Sequence, residues 1–161
     1  MNVKLSSKGR YAVRALFDIA FYNDGDPTQV KDIAERQAIP PRFLEQIFQD
    51  LKRAGIVGSK RGPQGGYFLA RQAEAIPLGE VIEVMEGPVA LGQEAASRAT
   101  SKISSKDTPQ TDGQRVTDVI FDDLSQRISE CLQQVSVADV CAKATELGIG
   151  PSTNDSYMYF I

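Results

Sequence analysis

The chain contains no histidine and no tryptophan in 161 residues. Without histidine it lacks the side chain best suited to take up and return protons near neutral pH, which is also the commonest metal ligand. No glycine-rich phosphate loop follows a strand-like run, and no nucleophile stands in a recognisable catalytic setting, so no enzymatic activity is expected. Cysteine is scarce: Cys131 and Cys141 lie ten residues apart in apparently helical segments, where a reducing compartment leaves them as free thiols. No run of about 18 apolar residues occurs and the first residues lack an apolar leader core. Neither a membrane span nor a signal peptide is expected, and a cytoplasmic location follows as the expectation. Positive charge is also in deficit, 18 Lys and Arg against 21 Asp and Glu, net −3.

That deficit is not evenly spread. Residues 1–71 carry twelve Lys and Arg against seven Asp and Glu, whereas residues 72–161 carry six against fourteen. A basic front (+5) and an acidic rear (−8) suggest one surface facing nucleic acid and another facing elsewhere.

Within the basic part, residues 30–37 place Val30, Ile33 and Ala34 on one helical face, with Thr28 positioned to cap the start. Ala38 and Ile39 close a short turn. Pro40 and Pro41 then suit a helix beginning, because a first-turn proline gives up only an N–H that has no partner. A second helix over residues 41–54 is predicted to turn Phe43, Leu44, Ile47, Phe48 and Leu51 inward and Arg42, Glu45, Gln46, Gln49 and Lys52 outward, stopping at Gly55. Two β-prone runs, residues 56–60 and 67–71, flank Arg61-Gly-Pro-Gln-Gly-Gly66, which reads as a hairpin. Directly after a helix-turn-helix such a hairpin is a wing, whose small residues admit backbone to phosphates that Lys60 and Arg61 neutralise.

Residues 7–22 form an amphipathic helix with Lys8, Arg10 and Arg14 near its start, an arrangement that would accept a phosphate at the helix N-terminus. Residues 77–86 give a short helix with Leu78, Val81, Ile82 and Met85 inward. Residues 91–113 are polar and are expected to be a mobile loop. Val116, Ile120, Leu124, Ile128, Cys131 and Val135 then recur at steps of three and four, a stripe that requires cover; a second copy of the same helix would provide it and make a two-fold dimer. Paired reading helices about one DNA turn apart, ~34 Å, would read a palindrome. Ser136 caps a last helix over residues 137–147. The tail, residues 148–161, finishes with Tyr157, Met158, Tyr159, Phe160 and Ile161, an apolar run expected to dock either on a partner or on its own dimer. The expected fold is mainly α with a small β-hairpin: a winged helix-turn-helix domain over residues 1–90, a loop over 91–113, a dimerisation helix with a following short helix over 114–147, and the tail.

Leu5-Ser-Ser-Lys-Gly-Arg-Tyr-Ala12, Ile33-Ala-Glu-Arg36, Phe43-Leu-Glu-Gln46, Leu51-Lys-Arg-Ala-Gly-Ile-Val57, Arg61-Gly-Pro-Gln-Gly-Gly-Tyr67 and Leu78-Gly-Glu-Val-Ile-Glu-Val-Met-Glu-Gly-Pro88 together resemble the Rrf-type family of bacterial winged helix-turn-helix transcription regulators. The resemblance implies that Glu45 and Gln46 approach base edges, that Arg42 and Phe43 flank them, and that Arg61 reaches from the wing into the minor groove. The side-chain chemistry agrees in kind, since Gln pairs with adenine and Glu accepts from cytosine. The candidate DNA-contact set is Lys4, Ser6, Lys8, Arg10, Tyr11, Arg42, Phe43, Glu45, Gln46, Gln49, Lys52, Lys60, Arg61, Gly62, Gln64, Gly65, Gly66 and Tyr67. Iron–sulfur members of this family carry clustered cysteines in the loop after Glu-Gly-Pro; here residues 91–113 contain none, so no cofactor is expected. The tail resembles that of the cysteine-metabolism branch, which implies cysteine synthase as a partner. Two other readings stay open: a redox regulator of the same fold, using an iron–sulfur cluster or the thiols of Cys131 and Cys141, and a winged helix that docks protein rather than DNA.

Overall fold

The computed structural model describes residues 5–91 and 110–150. Among these residues six α-helices and one two-stranded antiparallel hairpin follow one another as α1 (Ser7–Asn23), α2 (Val30–Gln37), α3 (Pro41–Arg53), β1 (Val57–Lys60), β2 (Gly66–Leu69), α4 (Leu78–Glu86), α5 (Asp112–Gln133) and α6 (Val137–Glu146), with a 3-10 turn at Ala73–Ala75 before α4. The fold is mainly α with a small β-hairpin, as the periodicity predicts.

Helix α1 is the hub. Ala12, Ala15, Leu16 and Ile19 recur at three- and four-residue steps and are fully buried, so one stripe of α1 packs against α2, α3, α4 and α6. Leu44, Ile47, Phe48 and Leu51 of α3 bring the same spacing to the other side of this core. Ile33, Ile39, Ile56, Ile76, Val81 and Val137 complete it. A turn through Ala38 in the left-handed conformation (φ 49°) separates α2 from α3. Pro40 takes the N-cap of α3 and Pro41 its first helical position, where proline is tolerated best.

The hairpin pairs Val57 with Leu69, Gly58 with Phe68, Ser59 with Tyr67, and Lys60 with Gly66. A third segment joins it. Thr28 and Tyr67 exchange backbone hydrogen bonds of 2.8 and 2.9 Å. This corrects the expected role of Thr28: it is buried in a bridge to the hairpin, and Gln29 is the N-cap of α2, with no side-chain cap bond. Gly66, at φ 144°, lies so close to the Thr28 carbonyl that no Cβ would fit, which explains glycine there.

Helix α5 starts at Asp112, inside the span expected to be loop, because Thr111 and Gln114 form a reciprocal capping box. Residues 92–109, the bulk of that expected loop, and residues 151–161, which hold the apolar tail run, lie outside the described residues, as does Lys4. Helix α5 rests on α4, and Ser125 is its one buried residue, donating to the Phe121 carbonyl and accepting from the Leu91 amide. Ser136 caps α6 through a second capping box with Asp139. Backbone bonds from Leu78 to Val135 and from Val137 to Ile76 return α6 to the head.

Candidate nucleic-acid interface

The outward side of α3 carries Arg42, Glu45, Gln46, Gln49 and Lys52, all exposed. Phe43 departs from its predicted inward position. It is 56% exposed while the next four apolar residues of α3 are buried. The physical reason is angular: Leu44, Ile47, Phe48 and Leu51 already fill the inward arc, and Phe43 sits about 100° from Leu44 at 3.6 residues per turn. Its ring meets the edge of Tyr11 on α1, centroids 6.2 Å apart at 66°.

Two clamps fix the reading helix relative to its support. Asp18 of α1 has no exposed surface; its carboxyl oxygens accept from Arg36 Nε at 3.0 and 3.2 Å, Arg36 Nη2 at 2.6 Å and Gln37 Nε2 at 2.8 Å. The hydrogen bond to Asp18 is the chief cause raising the Arg36 guanidinium above its ordinary value, and that guanidinium also lies over the Tyr22 ring. Arg14 donates to the Gln37 carbonyl. The end of α2, just before the turn into α3, is thereby held by two side chains of α1, Asp18 and Arg14. On the opposite flank Lys8 pairs with Asp50 of α3 at 2.6 Å.

The wing is tied rather than free. Lys52 donates to Ser59 at 2.6 Å, Gln29 donates to the Pro63 carbonyl at 3.0 Å, and Tyr67 stacks on Phe48 with centroids 4.3 Å apart at 10°. Tyr67 is half-buried and Gly65 is buried. Both support the wing from beneath. Lys60, Arg61, Gly62 and Gln64 are exposed on it. Among the described residues Arg10, Arg42, Lys60 and Arg61 take part in no salt bridge.

The start of α1 is occupied differently from the expected phosphate site. Glu86, at the end of α4, accepts from both the Ser6 amide and the Ser6 hydroxyl at 2.8 Å, and its carboxylate lies over Gly9, where a Cβ would collide with it. The favourable anion at this helix N-terminus is thus supplied by the protein itself. Ser6 in turn caps the helix by accepting from the Gly9 amide. Sequence reasoning missed Glu86, Asp18, Asp50 and Gln29 as supports; the glycine at position 9 is the only local trace of Glu86.

The acidic rear carries the other prominent surface. Val116, Ile120 and Leu124 are exposed and Ile128 is half-buried along α5; Val135, in the link that follows it, is exposed. Val119 (68%) and Phe121 (41%) widen that apolar face beyond the predicted stripe. Cys131 is exposed, and Cys141 is half-buried with its thiol pushed up by burial and by Glu74.

Helix, turn, exposed reading helix and tethered basic hairpin make up a winged helix-turn-helix head, and the chain is a DNA-binding transcription regulator. Residues 5–143 match the Rrf2 family, described as iron-dependent transcriptional regulators. The chain belongs to that family. It is 38% identical to the HTH-type transcriptional regulator IscR of Erwinia tasmaniensis over 138 residues, covering 86% of this chain and 78% of the relative. The same regulator from Yersinia pseudotuberculosis is 35% identical over 153 residues, 95% and 88% of the two chains. Among solved structures, T. potens IscR superposes with a TM-score of 0.70 at 33% identity, covering 99% of this chain and 98% of that one. CymR, the global cysteine regulator of B. subtilis, gives 0.66 at 27% identity, covering 88% and 98%.

Proposed function

We propose that the chain is a homodimeric repressor that reads a palindromic double-stranded operator controlling genes of cysteine, sulfur or iron–sulfur metabolism. The observation that carries this reading is the exposed polar face of α3, with Arg10 of α1 and Arg61 of the wing available on tethered elements beside it. Glu45, Gln46 and Gln49 would meet base edges, Arg61 would reach from the wing into the minor groove, and Arg42 and Lys60 would neutralise backbone charge. Dimerisation is supported by the apolar face of α5, which one chain leaves in water. The cysteine link is supported by the likeness to CymR, and residues 157–161 are assigned in this reading to docking on cysteine synthase. A cytoplasmic location is part of the same proposal; among the described residues no helix is long and apolar enough to cross a membrane.

The donors of this chain do not suit a thiolate-held iron–sulfur cluster. Such clusters need several cysteines, some replaceable by histidine. The chain has two cysteines and no histidine, burial disfavours the thiolate of Cys141, and among the described residues no three His, Cys, Asp or Glu side chains gather as a metal site. The reading therefore carries no cofactor.

Arg61→Ala tests the wing's part. Fluorescence anisotropy on a duplex selected by the wild-type protein should show binding weakened by about 1–3 kcal/mol, and a loss under ~0.3 kcal/mol would remove the wing from the interface.

A further inference from the structure

We infer that Phe43 reads the C5-methyl group of a thymine in the major groove, so that each half-site carries one thymine recognised by an apolar contact. The inference rests on α3 being the reading helix and deepens that reading.

Phe43 lies in the first turn of α3, and in helix-turn-helix proteins the N-terminal residues of the second helix are the ones that reach base edges. It is the only large apolar side chain exposed on α3, and its exposed neighbours in sequence, Arg42, Glu45 and Gln46, are polar. A phenyl ring cannot satisfy a hydrogen-bonding base edge or a phosphate. The one apolar feature that base pairs present in the major groove is the thymine methyl. The ring is also oriented before any duplex arrives. Tyr11 holds it edge to face at 6.2 Å, and Arg14 of the same helix lies 5.7 Å over the Tyr11 ring. A side chain fixed in this way gives up less freedom on binding than a mobile one. Cytosine at that step offers a C–H in place of the methyl and would leave the ring facing a gap.

The test uses the intact dimer and a duplex selected from a random pool. Each thymine is replaced in turn by deoxyuridine, which deletes the methyl and keeps every hydrogen-bonding group. The wild-type protein should lose about three- to tenfold in affinity at one thymine, at the symmetric position of both half-sites, as expected for removing one buried methyl contact. Phe43→Ala should bind the thymine duplex as weakly as the wild type binds the uracil one, and should respond less than about 1.5-fold to the same replacement, the pairwise coupling expected of contacting groups. Its melting temperature should fall by only a few degrees, since the ring is half exposed and its loss removes one edge-to-face contact with Tyr11. Uracil tolerated at every position by a tightly binding wild type would overturn the inference while leaving the reading helix intact. So would an undiminished uracil penalty in Phe43→Ala. Failure of the wild type to prefer any duplex would instead overturn the underlying DNA reading.

Discussion

Polar side chains in this protein hold elements in place by satisfying specific orphan groups. Asp18 is tolerated without solvent because three N–H groups from Arg36 and Gln37 reach its oxygens, which meets the condition under which a buried carboxyl is stable. Asp139 shows the same principle at the surface. The Ser136 amide and hydroxyl donate to it at 2.7 and 2.8 Å, and the amide bond is the larger cause of its lowered pKa. Both bonds favour the ionised form. Their stabilisation is therefore fully present above the ordinary carboxylate value and is lost as pH falls through the lower folded value. An NMR titration of the Asp139 carboxyl carbon should give a midpoint below 3.8, moving up towards it in Ser136→Ala. A wild-type midpoint at or above 3.8 would contradict the cap geometry.

Among elements, α3 and the hairpin could be read from sequence because local rules decide them: two prolines open the helix, Leu44, Ile47, Phe48 and Leu51 repeat at helical steps, and the glycines at 62, 65 and 66 allow only a tight connection. What escaped was set by distant partners. Thr28 looked like a cap because its neighbours begin a helix, yet Tyr67, 39 residues away, claims its backbone. Phe43 looked inward because periodicity counts apolar residues without knowing how wide the buried arc is. Glu86 reaches Ser6 across 80 positions, and no spacing rule could connect them. The apolar face of α5 was legible as a stripe, though Val119 and Phe121 extend it. At 22 residues α5 is about 33 Å long, long enough to supply much of the ~1,200–2,000 Å² that a stable pair buries. Ile120→Glu should place a charge in that face and convert the dimer to monomer in sedimentation velocity, with operator affinity lost and helical content kept. A dimer that survives unchanged would move the interface elsewhere.

For the molecule as a whole, charge divides along the chain while packing does not: α4 and α6 of the acidic half share the α1 core, and α5 is left with an apolar face in water. The head, built around α1, concentrates the basic residues on elements locked to one another through Asp18, Asp50, Gln29 and Ser59. The acidic half carries α5 and its apolar face. Such a division suits a pair of chains that join through their rears and turn two heads to one duplex, with like charge keeping the acidic halves off the phosphates. Long-range attraction to DNA then depends on the basic head alone, and affinity should fall steeply with salt. The direct measurement is the stoichiometry and footprint of the purified protein on its selected duplex at several salt concentrations. Two chains should bind each site, protecting half-sites about one helical turn apart (~34 Å). A single chain per duplex, or equal affinity for every sequence offered, would contradict the account.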